Sequence, residues 1–289
     1  MNIIKQVKAP VRIDFGGGTT DIYPFTHKYG GAVLNAAINR YVVGKIIKTD
    51  EKIHLEYTGN TPTSSGLGTS GVMNLVWLAL ISQIKLKKKQ GIIIKNKIDL
   101  AEKAYALEQA LGLVGGKQDQ YAAALGGINF LEFKGDKVKI TKLNLPKDFI
   151  KELEDNLVLV YTGKPHFSGN SNKVMINNLK KGKNIKNLLR IKRIAYEMKN
   201  ALLKKNLQKF AELMNKETKE RNLLHRIIVP TQIENIIKQG KENGAIAAKV
   251  CGSGGGGSIL FFGDKEKLKK KFGKRVIDFK FDFEGLKWM

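Results

Sequence analysis

Residues 61–72 read TPTSSGLGTSGV and stand directly before an apolar run, VMNLVWLALISQI, at residues 72–84. Such a segment has few side chains to pack, but it exposes backbone N–H groups. Glycines let the chain turn tightly, and the helix that follows presents unpaired N–H groups and a partial positive charge at its start. The stretch therefore predicts an anion cradle at a helix N-terminus, with an ordinary glycine turn before a core helix as the alternative.

Hydroxyl side chains add hydrogen-bond donors to this cradle and offer a ligand for Mg²⁺. We assign phosphate binding to one continuous run, which consists of Ser64, Ser65, Gly66, Leu67, Gly68, Thr69 and Ser70.

Length and composition limit the class of protein. A chain of 289 residues with 42% hydrophobic residues suits one large or two modest globular domains. It has no apolar run of about 18 residues, so we expect no membrane span, and its start has no signal-peptide core. The single cysteine, Cys251, excludes an intramolecular disulfide and a cysteine-rich zinc site. Together these features favour a cytoplasmic protein.

The charge is unusual, since 51 Lys and Arg against 26 Asp and Glu give a formal net charge of +25. A nucleic-acid partner would be one explanation. The lysines are spread along the chain, however, arginine is scarce, and no nucleic-acid-binding module is recognisable. We therefore expect no nucleic-acid partner, although a positive field would attract anionic metabolites.

Hydrophobic periodicity predicts both strands and helices. Strands are expected at residues 5–15, 30–38, 40–49, 52–59, 126–133, 137–145, 157–163, 245–250 and 258–263. Helices are expected at residues 69–84, 99–111, 171–180, 185–214 and 231–242, with Asp99 and Glu102 forming a capping box. A seam near residues 147–154 divides the chain into domains at 1–150 and 151–289.

Two acidic residues stand out beyond the cradle. Glu108 falls on the apolar face of the helix at residues 99–111, where a carboxylate needs a cation opposite it. A metal bound to phosphate would serve, and so would an ion pair with a lysine. Asp119 follows in GGKQDQ, residues 115–120, and is a candidate base beside phosphate or, alternatively, a helix cap.

Three segments in order resemble the motifs of the GHMP kinase superfamily. They are APVRIDFGGGTTD at residues 9–21, TPTSSGLGTSG at 61–71 and KVCGSGGGGSILFF at 249–262. The resemblance implies a two-domain α+β fold, with an N-terminal domain like domain 2 of ribosomal protein S5 and a ferredoxin-like C-terminal domain. ATP and the acceptor would meet in the cleft between these domains.

The resemblance also implies roles for individual residues. Ser70 and Glu108 would bind Mg²⁺, and Asp119 would take the proton from the acceptor hydroxyl. Arg12 would orient Asp119 beside the transferring phosphate, with Lys117 adding positive charge. Gly254 and Gly255 would approach the phosphates of ATP.

The segment FGGGTTDIYPF, residues 15–25, resembles the sugar-kinase branch that phosphorylates the anomeric hydroxyl, especially heptose 7-phosphate kinases and fucokinases. Galactokinases carry Glu-His where this chain has Gly18-Thr19, which argues against plain galactose. The acceptor is therefore expected to be a sugar or sugar phosphate, modified at C1. The residues that the resemblance assigns to it are Gly17, Gly18, Thr20, Asp21, His166, Ser168, Asn172, Gly252 and Ser253.

Other functions stay open at this point. A mevalonate-type kinase of isoprenoid synthesis would share the ATP motifs, and an inactive relative could bind nucleic acid or another partner. A homodimer is also left open.

Overall fold

Two long strands at the start of the chain organise the first sheet of the protein. The computed structural model describes four ranges of the chain, which are residues 2–49, 52–82, 90–165 and 168–289. β1 (Asn2–Gly16) and β2 (Gly31–Lys48) pair antiparallel over most of their length. The expected break between residues 30–38 and 40–49 is absent, because β2 continues through it. Apolar residues alternate along β1 and are fully buried, as period-2 patterning predicts.

The first sheet has the order β10-β1-β2-β4-β5, with β3 paired to the other end of β2. Its remaining strands are β3 (Ile53–Gly59), β4 (Ile128–Lys134), β5 (Lys137–Lys142) and β10 (Lys287–Trp288). β4 and β5 form the predicted hairpin.

The second sheet lies in the later part of the chain and has the order β7-β8-β6-β9. Its strands are antiparallel, and they are β6 (Leu157–Tyr161), β7 (Ala245–Val250), β8 (Ser258–Gly263) and β9 (Val276–Ile277). The predicted strands at 157–163, 245–250 and 258–263 are confirmed.

Helices cover the two sheets, and the predicted α+β class is confirmed. The helices are α1 (Phe25–Tyr29), α2 (Thr69–Ile81), α3 (Gln90–Ala110), α4 (Gln118–Leu125), α5 (Lys147–Asp155), α6 (Ser168–Lys180), α7 (Ile185–Leu203), α8 (Leu207–Asn222), α9 (Thr231–Glu242) and α10 (Lys265–Phe272). Within the described ranges, no helix combines the length and apolarity needed to cross a membrane.

Two helix predictions were wrong. The capping box at Asp99 does not form, because α3 already begins at Gln90 and Asp99 lies in its interior. The single helix expected at 185–214 is two helices, α7 and α8. Lys205 between them has a left-handed backbone (φ 54°), and Asn206 caps α8 by accepting from Lys209 N at 2.8 Å.

The two halves of the chain share one hydrophobic core. Phe15 on β1 makes edge-to-face contacts with Phe210 on α8 (5.3 Å between ring centroids) and Phe281 (6.1 Å). After β9 the chain returns to the first sheet, where β10 pairs with β1. The expected seam at residue 150 falls inside α5, and the final residues pack with the first half.

A second link between the halves is ionic. Asp14 on β1, Glu217 and Arg221 on α8, and Lys249 on β7 form what we call the buried ion cluster, each residue at most 1% exposed. Lys249 Nζ donates to Asp14 Oδ2 at 2.7 Å, and Arg221 Nε donates to Glu217 Oε1 at 3.2 Å. Although burial opposes it, the positive charges of Lys249, Arg12 and Arg221 hold the pKa of Asp14 below its ordinary value.

Lys249→Met should destabilise the protein by about 3–5 kcal/mol, because it removes one cation and leaves buried carboxylates without full compensation. Urea unfolding measures the change. Lys267→Met is the matched control, since Lys267 pairs with Asp264 at the surface with its side chain 71% exposed, and it should change stability by less than about 1 kcal/mol. Equal, small effects from both substitutions would mean that the cluster does not hold the halves together.

Candidate active site

A cavity of about 480 Å³ opens where the three glycine-rich segments of the sequence converge. Its wall includes Arg12 and Asp21 from the first segment, the loop before α2, Glu108 and Asp119, and Gly252-Ser253 from the third segment. Residues separated by more than 200 positions in the chain thus share one pocket. The arrangement suits a ligand with several polar groups.

The loop before α2 has the geometry of an anion site. Ser64, Gly66 and Gly68 all adopt left-handed backbone conformations, which turn the chain into the start of the helix. Gly68 is required for a second reason, since a Cβ at this position would lie 2.9 Å from Asp119 Oδ2. The hydroxyl oxygens of Ser65 and Thr69 are buried and have no hydrogen-bond partner among the described residues. Donors that lack protein partners at a helix N-terminus are those an anion would satisfy.

The cavity receives most of the predicted phosphate-binding run. The residues that line it are Ser64, Ser65, Gly66, Gly68, Thr69 and Ser70. Leu67 does not belong to the wall: its side chain is fully buried in the core, and its carbonyl accepts from Arg12 N at 3.1 Å.

Arg12 and Asp119 form the central ion pair. Arg12 Nε donates to Asp119 Oδ1 at 2.8 Å, and Arg12 Nη2 lies 2.7 Å from the same oxygen. Its Nη1 donates to Gly66 O at 2.8 Å, so one guanidinium binds both the acid and the loop before α2. In the part of the chain that the structure describes, Asp119 Oδ2 has no hydrogen-bond partner. One carboxylate oxygen is therefore held, and the other is open to a ligand.

Glu108 has two amide partners and no cation. Asn74 Nδ2 donates to Oε1 at 3.0 Å and Gln120 Nε2 donates to Oε2 at 2.7 Å. Burial raises the pKa of Glu108 to about 7, even though both hydrogen bonds favour its charged form. The lysine partner considered from the sequence is absent among the described residues. A divalent cation in the cavity would supply the missing charge.

Ser70 completes the donor set that fits a magnesium ion. It lies in the first turn of α2, exposed on the cavity wall, one helical turn before Asn74. No group of three His, Cys, Asp or Glu side chains able to hold a metal occurs within the described ranges. This sparse set suits Mg²⁺, which is usually bound by one or two protein ligands together with substrate phosphates.

Asp21 is buried beside Asp119 at the other end of the cavity. It is 3% exposed, and Gln118 N donates to its Oδ2 at 3.3 Å. Burial, reinforced by the negative charge of Asp119, raises the pKa of Asp21 to about 6. Asp21 is therefore a carboxyl that a hydrogen-bonding ligand would stabilise in its charged form.

Lys117 does not reach the cavity. Its Nζ donates to both carboxylate oxygens of Glu102, at 2.8 and 3.1 Å, and to Asp136 O at 2.9 Å. Tyr121 also donates its hydroxyl to Glu102. Lys117 thus ties α3 and α4 to the β4–β5 turn, and its charge is neutralised there.

Several other expected site residues lie behind the cavity wall. Gly255 N donates to Ile228 O at 2.8 Å, and Gly254 packs against the same residue, so neither lines the cavity. Gly17 and Gly18 are also behind the wall, and the Thr20 hydroxyl is used in hydrogen bonds to Gly17 O and Ala32 O. Thr19 lines the cavity in their place.

The remaining acceptor residues divide into three groups. Gly252, Ser253 and Asn172 line the cavity, and Asn172 Nδ2 donates to Val114 O at 2.7 Å. Ser168 begins α6, with its side chain outside the description. His166 lies outside the described residues.

Four residues of the site were missed from the sequence: Thr19, Asn74, Gln118 and Gln120. Asn74 could have been found, since it follows Ser70 by four positions on a helix and therefore lies on the same face. Gln120 could not, because its contact with Glu108 depends on how α3 packs against α4.

The stability that the protein gains from Asp21→Asn, compared with the wild type, should be larger at neutral pH than at acidic pH. An unfolded Asp loses its proton near pH 4, whereas folded Asp21 keeps its proton up to about pH 6, so the wild type loses stability as the pH rises through this window. Relative to the wild type, the Asn variant should gain on the order of 2–3 kcal/mol between pH 4 and pH 7.5. Urea unfolding of both proteins at the two pH values measures this gain. Asp148→Asn, at an exposed carboxylate in the first turn of α5, is the control, and the gain at Asp21 is taken as the difference from this variant.

Comparison with known proteins agrees with the geometry. Residues 32–127 match the family described as "GHMP kinases N terminal domain", and residues 198–278 match "GHMP kinases C terminal". The D-glycero-alpha-D-manno-heptose 7-phosphate kinase of Campylobacter jejuni is 29% identical, with 98% of both chains covered. The bifunctional fucokinase/GDP-fucose pyrophosphorylase of Arabidopsis thaliana is 24% identical over 98% of this chain and 32% of its own length.

The fold has close counterparts among solved structures. A crystal structure of a D-glycero-D-manno-heptose 1-phosphate kinase from Bacteroides thetaiotaomicron superposes with a TM-score of 0.73 at 23% identity, covering 99% of both chains. The galactokinase of Lactococcus lactis in complex with galactose superposes with a TM-score of 0.69 at 15% identity, covering 99% of this chain and 94% of its own. With two family matches that together span more than half of its length and motifs in the family's order, the chain belongs to the GHMP kinases, which are ATP-dependent phosphotransferases.

Proposed function

We propose that the protein transfers the γ-phosphate of ATP to the anomeric C1 hydroxyl of a sugar, with a heptose 7-phosphate or a related sugar as the acceptor. One observation carries the proposal. The open oxygen of Asp119, the anion cradle before α2 and the buried carboxyl of Asp21 all face one cavity. The heptose 7-phosphate kinase of Campylobacter jejuni, which this chain resembles along its whole length, supports the choice of acceptor.

The loop before α2 would bind the triphosphate. Phosphoryl transfer depends mainly on in-line positioning and on neutralising charge on the phosphoryl oxygens. Backbone N–H groups of residues 64–70, the unpartnered hydroxyls of Ser65 and Thr69 and the helix N-terminus would provide this neutralisation. These donors are already oriented, so little reorganisation is needed when ATP binds.

Asp119 would act as the general base. Arg12 binds Oδ1 through two nitrogens and so directs Oδ2 toward the cavity, where it can accept the proton of the acceptor hydroxyl. The same guanidinium carries positive charge next to the cradle, through its contact with Gly66 O. Arg12 thus orients the base and favours negative charge on the phosphoryl group.

Ser70 and Glu108 would hold Mg²⁺, and Asn74 and Gln120 keep the Glu108 carboxylate in place for it. The bound ion would neutralise charge on the phosphates of ATP.

The acceptor would lie between Asp21, Thr19, Asn172 and Gly252-Ser253. Asp21 would accept hydrogen bonds from sugar hydroxyls, and its burial excludes water that would compete for them. We further propose that the enzyme works in the cytoplasm.

A panel of acceptors tests the function directly. ATP consumption should be observed with a sugar or sugar phosphate, and the product should carry the new phosphate at C1, as determined by ³¹P and ¹³C NMR. The panel contains D-glycero-D-manno-heptose 7-phosphate, L-fucose, D-glucuronate, galactose, mevalonate and homoserine. Turnover of mevalonate or homoserine alone, with no sugar phosphorylated, would overturn the proposal.

Asp119→Asn should lower kcat by roughly 10²–10⁴-fold, because the general base is lost while the amide oxygen can still accept from Arg12. Circular dichroism and ATP binding by calorimetry should match the wild type. Asp136→Asn, at an exposed carboxylate outside the cavity, serves as the control and should keep wild-type turnover. If Asp119→Asn also retains near-normal turnover, Asp119 is not the base.

A further inference from the structure

Gln118 is a buried residue of the cavity wall whose side-chain amide is not used by the protein. It is the first residue of α4, directly before Asp119, and it is 7% exposed. Its backbone groups have partners, since its N–H donates to Asp21 Oδ2 and its carbonyl accepts from Asn35 Nδ2 at 3.4 Å. Its side chain differs: across the described ranges no group hydrogen-bonds to the amide, and Oε1 is buried without a partner.

A buried amide without hydrogen-bond partners lowers the stability of the folded protein. Burying an amide group without a hydrogen bond costs roughly 1–3 kcal/mol in proteins, so such groups are normally paired with protein, water or ligand. Gln118 is among the residues that line the cavity, and because its Oε1 is itself buried, a ligand there would meet the amide through Nε2.

The backbone of Gln118 places it beside Asp21, which the proposed function assigns to the acceptor. Its Nε2 lies 3.5 Å from the position that a Cβ on Gly18 would occupy, and its backbone binds Asp21. Gly18 must be glycine here, because a Cβ would also lie 2.6 Å from Arg221 Nη2 in the buried ion cluster. Among the described residues, Gln118 makes no hydrogen bond to the loop before α2.

Gln120 provides an internal comparison. It lies two positions further along the same helix, and its Nε2 is bound to Glu108 at 2.7 Å. Asp119 stands between the two glutamines. Gln120 thus has its Nε2 committed to the predicted metal ligand and its Oε1 buried without a partner, whereas neither atom of the Gln118 amide has a hydrogen-bond partner among the described residues.

We infer that the Gln118 amide binds a hydroxyl of the acceptor that neighbours the hydroxyl receiving the phosphate. This inference rests on the proposed function for the location of the acceptor. An amide both donates and accepts, as a hydroxyl does, so the two groups match in chemistry. The carboxyl groups of Asp21 and Asp119 on either side disfavour an anionic group at this position, which selects a neutral, hydroxylated edge of the acceptor.

Gln118→Met and Gln120→Met form a matched pair of variants, since methionine keeps the length of the side chain and removes its hydrogen bonds. Gln118→Met should raise the KM for the acceptor by about fivefold to tenfold, the effect of one lost hydrogen bond, and leave the KM for ATP within about twofold. Its melting temperature should equal or exceed that of the wild type, because the substitution removes an unpaired buried amide. Gln120→Met should instead raise the Mg²⁺ concentration needed for half-maximal ATP binding, measured by calorimetry.

Deoxy analogues of the acceptor identify the hydroxyl concerned. For one analogue, the wild type and Gln118→Met should show equal KM values, because the partner of the amide is missing in both cases. A lower melting temperature with an unchanged acceptor KM would assign Gln118 a structural role and overturn the inference. The same holds if every analogue shows the same loss in the variant.

Failure of the proposed function is recognised separately, because it is seen with the wild-type enzyme. If the wild type phosphorylates a hydroxyl compound that is not a sugar, the two variants are compared with that acceptor. An unchanged acceptor KM in Gln118→Met then still overturns the role of Gln118.

Discussion

Arg12 joins three segments that lie far apart in the chain. Its backbone N–H and its Nη1 donate to the carbonyls of Leu67 and Gly66, and its Nε donates to Asp119. Because the guanidinium is only 4% exposed, it must keep these partners or carry an uncompensated buried charge. The strand β1, the anion cradle and α4 are therefore held in one arrangement, and the open oxygen of Asp119 follows from it.

The buried ion cluster connects the two halves of the molecule, just as Arg12 connects the segments that form the site. Asp14 Oδ1 accepts from Gly252 N, and Arg221 Nη1 donates to Gly252 O at 2.9 Å, so the cluster binds both peptide groups of a residue on the cavity wall. It also lies directly beneath Gly18. Gly18 stands at the position that carries Glu in galactokinases. In this chain the charged side chains of Arg221 and Asp14 occupy the space that a side chain there would need, which explains why the residue is glycine.

Carboxyl groups in the cavity differ in what compensates them. Asp119 has a cation, whereas Glu108 and Asp21 have only neutral donors, and burial raises their pKa values to about 7 and about 6. Two sites are therefore prepared for ligands that bring positive charge or hydroxyl donors. Glu108 accepts a hydrogen bond from Gln120, and Asp21 accepts one from the backbone of Gln118, and these two glutamines are the neighbours of Asp119 on α4.

Local patterning by itself predicted most strands and the glycine-rich turn before α2, because period-2 alternation and a glycine-rich helix start depend only on neighbouring residues, and the α+β class followed from the resemblance of the ordered motifs to a known family. The ordered motifs also led to Arg12, Glu108 and Asp119. Only the tertiary structure decided which of several distant groups each of the other side chains contacts. Lys117 binds Glu102, the Thr20 hydroxyl hydrogen-bonds to Ala32 O, and the Leu67 side chain is buried in the core. The amide of Gln118 was left open while that of Gln120 was bound, and nothing in the sequence distinguishes these two glutamines, since the difference arises from the packing of α4 against Glu108 on α3.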